Sequence, residues 1–284
     1  MTIINGFNRA ESAAVSALRR CVSNLAMALT ILVRPARVKA PRVSLREQRP
    51  LVIAAGLAFA VIVVSMLTLD AAVIRGVGHV PRWIVAVFDD ITDFGKSGWF
   101  LWPLGILLLT LAALPPMLAA VQQRVLAAIM VRVGFLFTAI ALPGLFVTIV
   151  KRMIGRARPF VGGSLDPLLF SPFAWVPAYA GMPSGHATTA FAALVAFGTL
   201  WPRARTALVI YALLIAISRP MVLAHYPSDV FAGALVGIVG AMMVRRYFAQ
   251  RRLGFTIGPD GKINQYPGPS LRRIKAVAHG LLAP

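Results

Sequence analysis

Residues 51–69 read LVIAAGLAFAVIVVSMLTL, nineteen apolar or small residues entered by Arg49-Pro50 and left at Asp70. As a helix this stretch is ~28 Å long at ~1.5 Å per residue, close to the ~30 Å hydrocarbon core of a bilayer. The rest of the chain agrees with a membrane reading. Of its 284 residues 58% are hydrophobic and 13% are charged, where a soluble globular chain carries ~25% charged residues. So much apolar surface excludes a disordered chain, and the single cysteine, Cys21, excludes a disulfide scaffold.

Five further stretches continue the pattern, at about Trp99–Ala120, Ala127–Val150, Gly185–Trp201, Thr206–Leu223 and Asp229–Val244. The expected architecture is an all-α, polytopic membrane protein with six transmembrane helices and both termini on one side. Residues 51–247 form its membrane domain, flanked by basic tails at 1–50 and 248–284. Residues 71–96 are too charged to cross, and Trp83, Phe88 and Phe94 among their acids suggest an interfacial segment. Cys21–Val33 is apolar but only thirteen residues long, and reads as a short helix on the membrane surface. Arg132, near the start of the third span, is placed to snorkel to the interface.

The formal net charge is +20, and residues 1–50 and 245–284 each contribute +7 of it. Basic tails beside membrane spans follow from the positive-inside rule and from attraction to anionic lipid. Neither tail carries aromatic interleaving or a nucleic-acid motif, so nucleic acid is not an expected partner. The partner is the bilayer itself.

Ionisable residues at span ends are scarce, which makes their grouping informative. One group, Lys151 to Pro159, closes the third span. A second, Pro183-Ser184-Gly185-His186, opens the fourth, and a third, Ser218 to Asp229, bridges the fifth and sixth. Alternating passage through the membrane brings all three to one face. Lys151, Arg158 and Arg219 are fixed cations, and arginine forks match phosphate oxygens. Ser184 and the amides around Gly185 open a helix, where phosphate oxygens bind readily. His186, His225 and Asp229 supply enough groups for a nucleophile, an orienting partner and a separate acid. Asp229 lies four residues after His225, within reach of its ring, and Pro227 suits the first turn of a helix. Few acids are present to recruit a hard metal, so no metal or cofactor is expected. Arg152 and Arg156 read as interfacial anchors or headgroup contacts.

The patterns Lys151-x6-Arg158-Pro159, Pro183-Ser184-Gly185-His186 and Ser218-Arg219-x5-His225-x3-Asp229 resemble, in order and spacing, the three signatures of the type 2 phosphatidic acid phosphatase superfamily. The resemblance covers about residues 51–247 and implies an all-helical bundle. It implies that His225 is a nucleophile forming a phosphohistidine, and that Asp229 orients and charges its ring. His186 would protonate the leaving oxygen and then activate water. Lys151, Arg158 and Arg219, joined by Ser184 and the Gly185 backbone, would hold the phosphoryl oxygens.

The expected activity is hydrolysis of a membrane lipid phosphate or diphosphate: phosphatidylglycerophosphate, phosphatidate, undecaprenyl diphosphate or the phosphates of lipid A. Capture of the phosphoryl group by an acceptor would make the enzyme a phosphotransferase, and a non-catalytic lipid carrier or scaffold is the least favoured reading. The cation bias in tails and short links places both termini in the cytoplasm and the motif face on the outer side of the cytoplasmic membrane.

Overall fold

The computed structural model describes residues 2–38, 45–113 and 120–282. The described chain is mostly helical, with one short hairpin and an irregular loop at residues 155–184. Its helices are α1 (Thr2–Val33), α2 (Leu45–Val64), α3 (Asp70–Val77), α4 (Arg82–Asp93), α5 (Gly98–Ala113) and α6 (Ala120–Ile154). After the motif loop come α7 (Gly185–Leu200), α8 (Arg205–Met221), α9 (Pro227–Gln250) and α10 (Leu271–Leu282). Strands β1 (Phe255–Ile257) and β2 (Ile263–Gln265) pair antiparallel between α9 and α10.

Among the described residues five helical stretches are long and apolar enough to cross a membrane: Arg49–Val77, Arg82–Ala113, Val121–Ile154, Pro202–Met221 and Pro227–Gln250. A sixth apolar helix, α7, has sixteen residues and is ~24 Å long, short of the full hydrocarbon thickness. The first two stretches expose broad apolar faces, among them Leu51, Leu57, Phe59, Leu67 and Trp102. Contiguous apolar surface on that scale belongs against lipid.

Several boundaries differ from the sequence reading. The first span does not stop at Asp70: a π-helical turn, Ser65–Leu69, joins α2 to α3 and carries the helix on to Val77. The acid that reads as an exit to water is instead fully buried. Residues 71–77 belong to the first helical stretch, and residues 82–93 form α4, whose acids Asp89, Asp90 and Asp93 lie just before the apolar α5. The expected end of the second span, beyond Ala113, lies outside the described residues. Cys21–Val33 is the latter part of the 32-residue α1, because the residues before it continue the helix without a break.

The described chain divides into two compact units. In the unit of residues 1–40, 102–137 and 246–284, Phe135 packs on Phe248 and Phe255 with ring centroids 5.5 and 4.8 Å apart. Arg132 donates to the carbonyls of Ala128 and Tyr266 at 2.9 and 2.8 Å, so it ties α6 to the chain just after the hairpin.

The unit of residues 41–101 and 138–245 contains all three motif groups. Its centre is α7, whose Ala187, Ala190, Ala192, Ala193 and Ala196 are completely or almost completely buried. Side chains this small let neighbouring helices approach to backbone contact. Gly233 and Gly237 on α9 use that closeness: a Cβ on either would lie 2.4 Å from the carbonyl oxygen of Ser184 or Thr188. Thr188 Oγ donates to the carbonyls of Ser184 and Gly233 at 2.9 and 3.1 Å, tying the start of α7 to α9.

Candidate functional site

The loop after α6 is shaped before it is functional. Gly155 turns it with φ +64°, and a side chain there would collide with the Ser171 carbonyl. The extended residues that follow are held on both sides. Ala157 N–H donates to Leu169 O, Arg158 N–H to Ala178 O, and Gly181 N–H to Arg156 O, at 3.0, 2.9 and 2.9 Å. Arg158 is thereby fixed by main-chain bonds and not by its own side chain.

Ser184 caps α7 in an extended conformation, and its hydroxyl makes no capping bond. Its N–H donates to the Asp229 carbonyl at 2.9 Å, which joins the second motif group to the third. His225 lies just before α9, almost fully buried. Its Nδ1 is 3.7 Å from Asp229 Oδ2, an ion-pair approach longer than a hydrogen bond. Burial lowers the His225 pKa below the usual histidine value, and the neighbouring Asp229 opposes that shift. Arg158 and Arg219 both lie within electrostatic reach of His225, and Lys151 within reach of Arg158. His186 is within reach of Arg219 and His225. All eight residues singled out from the sequence therefore fall in one unit, and residues from all three motif groups interact.

Four buried atoms in this cluster have no hydrogen-bond partner among the described residues: Ser184 Oγ, Arg158 Nε, Arg219 Nε and His225 Nδ1. Three of these can donate to an oxyanion, and two of the three carry positive charge. A cavity of about 440 Å³ reaches two of the motif groups, at Lys151 and at Gly185 and His186. Lys96, Lys151 and His186 line its polar end, and Leu101, Ile140 and Leu145 its apolar side. Gly95 makes room for His186, since a Cβ at that position would lie 2.9 Å from the imidazole Cδ2.

Three residues that the sequence reading left out of the site are built into it. Arg156 is not an interfacial anchor: its side chain is wholly buried and ion-paired to Asp70 at 2.7 Å and to Asp229 at 2.5 Å. A guanidinium taken from water is stable only when paired, and here two carboxylates pair it. Asp70 is the second omission, and its signal was an acid directly after nineteen apolar residues. The third is Thr92 on α4, whose hydroxyl accepts from Arg219 Nη1 and is 3.0 Å from Ser218 Oγ. No pattern in the sequence marks Thr92.

Buried cations, a helix start and paired histidines beside an amphiphilic cavity, all on an apolar helical scaffold, define the class: a membrane enzyme for phosphorylated lipids. The comparisons agree. A sequence model of the PAP2 superfamily matches residues 132–253. The lipid A 1-phosphatases of Rhizobium johnstonii and Rhizobium etli are each 34% identical to this chain over 201 residues, 70% of its length and 82% and 86% of theirs. The crystal structure of Aquifex aeolicus LpxE aligns with 63% of this chain and 96% of its own, at 24% identity and a TM-score of 0.46. That of the first transmembrane PAP2 type phosphatidylglycerolphosphate phosphatase from Bacillus subtilis aligns with 67% and 93%, at 18% identity and the same TM-score. The chain belongs to the PAP2 superfamily. It is a multi-pass membrane lipid phosphatase.

Proposed function

We propose that this enzyme removes a phosphate from a membrane lipid through a phosphohistidine formed on His225, and that the 1-phosphate of lipid A is the first substrate to test. The choice of lipid follows the names of the two Rhizobium relatives. Phosphatidylglycerophosphate, phosphatidate and undecaprenyl diphosphate are the remaining candidates. The observation that carries the reaction is the set of unpartnered buried donors, Ser184 Oγ, Arg158 Nε and Arg219 Nε, in the same cluster as His225. Three such donors suit the non-bridging oxygens of a phosphoryl group, and fixed charge in a site shielded from water stabilises its transition state.

With Nδ1 turned toward Asp229, Nε2 is left to attack phosphorus while the bond from phosphorus to the lipid oxygen breaks. His186 gives the departing oxygen its proton. It then takes a proton from the water that attacks the phosphohistidine, so phosphate leaves and both histidines return to their starting states. Lys151, Arg158 and Arg219 hold the oxygens throughout, with Ser184 and the Gly185 amide. The reaction needs no metal, and its rate should persist in excess chelator.

Purified enzyme should liberate inorganic phosphate from one member of a panel of lipid phosphates. Quenched during turnover, it should carry acid-labile, base-stable phosphate. His225→Ala should lose both signals while remaining folded in detergent. Undiminished trapped phosphate in that variant would sink the assignment, and transfer of label to an alcohol in place of water would make the enzyme a phosphotransferase.

A further inference from the structure

Asp70 lies outside all three signatures and Arg156 occupies an unspecified position of the first, yet together they hold a fully satisfied polar cluster near the site. The five N–H groups of the Arg156 guanidinium are all engaged. Nε donates to Pro167 O at 3.0 Å, and Nη2 donates to Pro167 O at 2.8 Å and to Asp70 Oδ2 at 2.7 Å. Nη1 donates to Ser228 Oγ at 2.6 Å and to Asp229 Oδ1 at 2.5 Å. Asp70 in turn accepts from Ser228 N–H at 2.9 Å and from Ser228 Oγ at 2.5 Å. Arg156, Asp70, Ser228 and Asp229 are all fully buried.

We propose that Arg156 is a positioning residue of the phosphatase reaction: with Asp70 it clamps Asp229 and the start of α9, and so sets the carboxylate behind His225. The proposal rests on the reading of His225 as the nucleophile.

The geometry leaves Asp229 no freedom. Its Oδ1 is taken by Arg156, and its Oδ2 accepts the Tyr226 N–H at 2.9 Å. The carboxylate cannot rotate, and its Oδ2 stays on the Nδ1 side of His225. Arg156 does not bind the phosphoryl group itself, because all five of its donors are spent. The charges explain why a second acid is needed. Arg156 alone would neutralise Asp229, whereas Asp70, Arg156 and Asp229 together carry −1. That single negative charge faces the imidazole ring, which gains one positive charge when Nε2 bonds to phosphorus. Asp70 is presented by the π-helical turn that precedes it, and Ser65 Oγ lies 3.4 Å from its Oδ1. Such a turn inside a long helix commonly marks a functional position.

The charged groups facing His225 are Asp229 from α9, Arg219 from α8, Arg158 from the loop after α6 and His186 from α7. Removing a charge from the clamp therefore changes the balance around the ring with a predictable sign. Arg156→Gln leaves two buried carboxylates unopposed, which favours protonated His225. The acid limb of kcat/KM should move to higher pH. Asp70→Asn leaves Arg156 to neutralise Asp229 alone, and the limb should move to lower pH. Neither residue binds substrate, so in both variants kcat should fall about 10- to 100-fold, the range seen when an orienting partner is removed. KM should stay within about twofold, because the lost interaction is not one with bound substrate.

The measurement uses the full-length enzyme in detergent, with a short-chain phosphatidate as probe and thermal melting to confirm the folded fraction. Opposite shifts of the acid limb support the clamp. Unmoved limbs, or shifts in the same direction, overturn it, as does a loss of activity that only tracks the loss of folded protein. If Arg156→Gln does not accumulate, Asp70→Asn decides alone: a downward shift supports the clamp and an unmoved limb overturns it. Phosphate trapping in His225→Ala separates the two layers. Trapped phosphate that survives that substitution removes the nucleophile assignment. Its loss there, with unmoved limbs in the clamp variants, removes the clamp alone.

Discussion

His225 shows how a residue's surroundings decide its chemistry. Burial disfavours its charged form, while Asp229 on the Nδ1 side favours it, and burial is the larger effect. The ring is therefore held neutral, the form that can attack phosphorus. The sign follows directly: a pKa below the usual ~6.5 keeps the proposed nucleophile competent at more acidic pH. The acid limb of kcat/KM should fall below that value. Asp229→Asn, which removes the one influence that raises the pKa, should move the limb lower still while reducing kcat. A pH–rate profile of the two proteins on a soluble short-chain lipid phosphate checks both expectations, and an acid limb above pH ~7 in the parent enzyme contradicts the first. The sequence already carried the identity of this residue, since Ser218-Arg219-x5-His225-x3-Asp229 is a local pattern. It did not carry Arg156, because an arginine among Lys151, Arg152 and Arg158 looks like one more interfacial cation. Its partners Asp70 and Asp229, eighty-six and seventy-three positions away, distinguish it from its neighbours.

At the scale of the elements, the site depends on how closely α9 meets the start of α7. Gly233 and Gly237, one turn apart, place the backbone of α9 against the carbonyls of Ser184 and Thr188. A methyl group at Gly233 would push Ser184 from its bond to the Asp229 carbonyl, shifting the second motif group against the third. Gly233→Ala should destabilise the protein by about 1–3 kcal/mol, as overpacking does, and should lower activity more than stability alone accounts for. Gly56→Ala in α2 is the control. Its side chain would meet nothing within 4 Å, so activity should be unchanged and stability should rise by roughly 0.5–1 kcal/mol. Melting temperature and phosphate release, measured on both variants, check the pair. Equal tolerance at the two positions would contradict the packing argument. Helix ends were less legible than helix centres. Asp70 reads as the polar end of a span because a charge after nineteen apolar residues normally meets water. Here it meets Arg156, and the helix continues for another two turns.

For the whole molecule, orientation decides which leaflet supplies the substrate. Six crossings would put the basic tails, Arg124 and the Arg203–Arg205 turn on one face and the loop after α6 with all three motif groups on the other. From the lysine and arginine bias we propose that the tails lie in the cytoplasm. In a Cys21→Ser background, a cysteine at exposed Ser164 should react with a membrane-impermeant maleimide in intact cells. A cysteine at exposed Ser270 should react only after permeabilisation. The reverse pattern would place the catalytic face in the cytoplasm, and labelling of both from one side would remove the six-crossing count. α7 bears most directly on that count, because its sixteen residues are the fewest of any proposed crossing.

The sequence by itself determined the solvent and the three motif groups. Apolar runs long enough to match a bilayer are a property of composition along the chain. The spacings from Lys151 to Pro159, from Pro183 to His186 and from Ser218 to Asp229 are short enough to be read locally. What only the tertiary structure decided were the relations between distant segments: that Asp70 and Asp229 share Arg156, that Thr92 takes a bond from Arg219, and that Gly95 and Gly233 make room for His186 and Ser184. The reason is physical. The bilayer acts on each residue separately through its transfer free energy, so hydropathy leaves a trace in every segment. A buried charge is stabilised only by its partner, and packing alone fixes which segment supplies that partner.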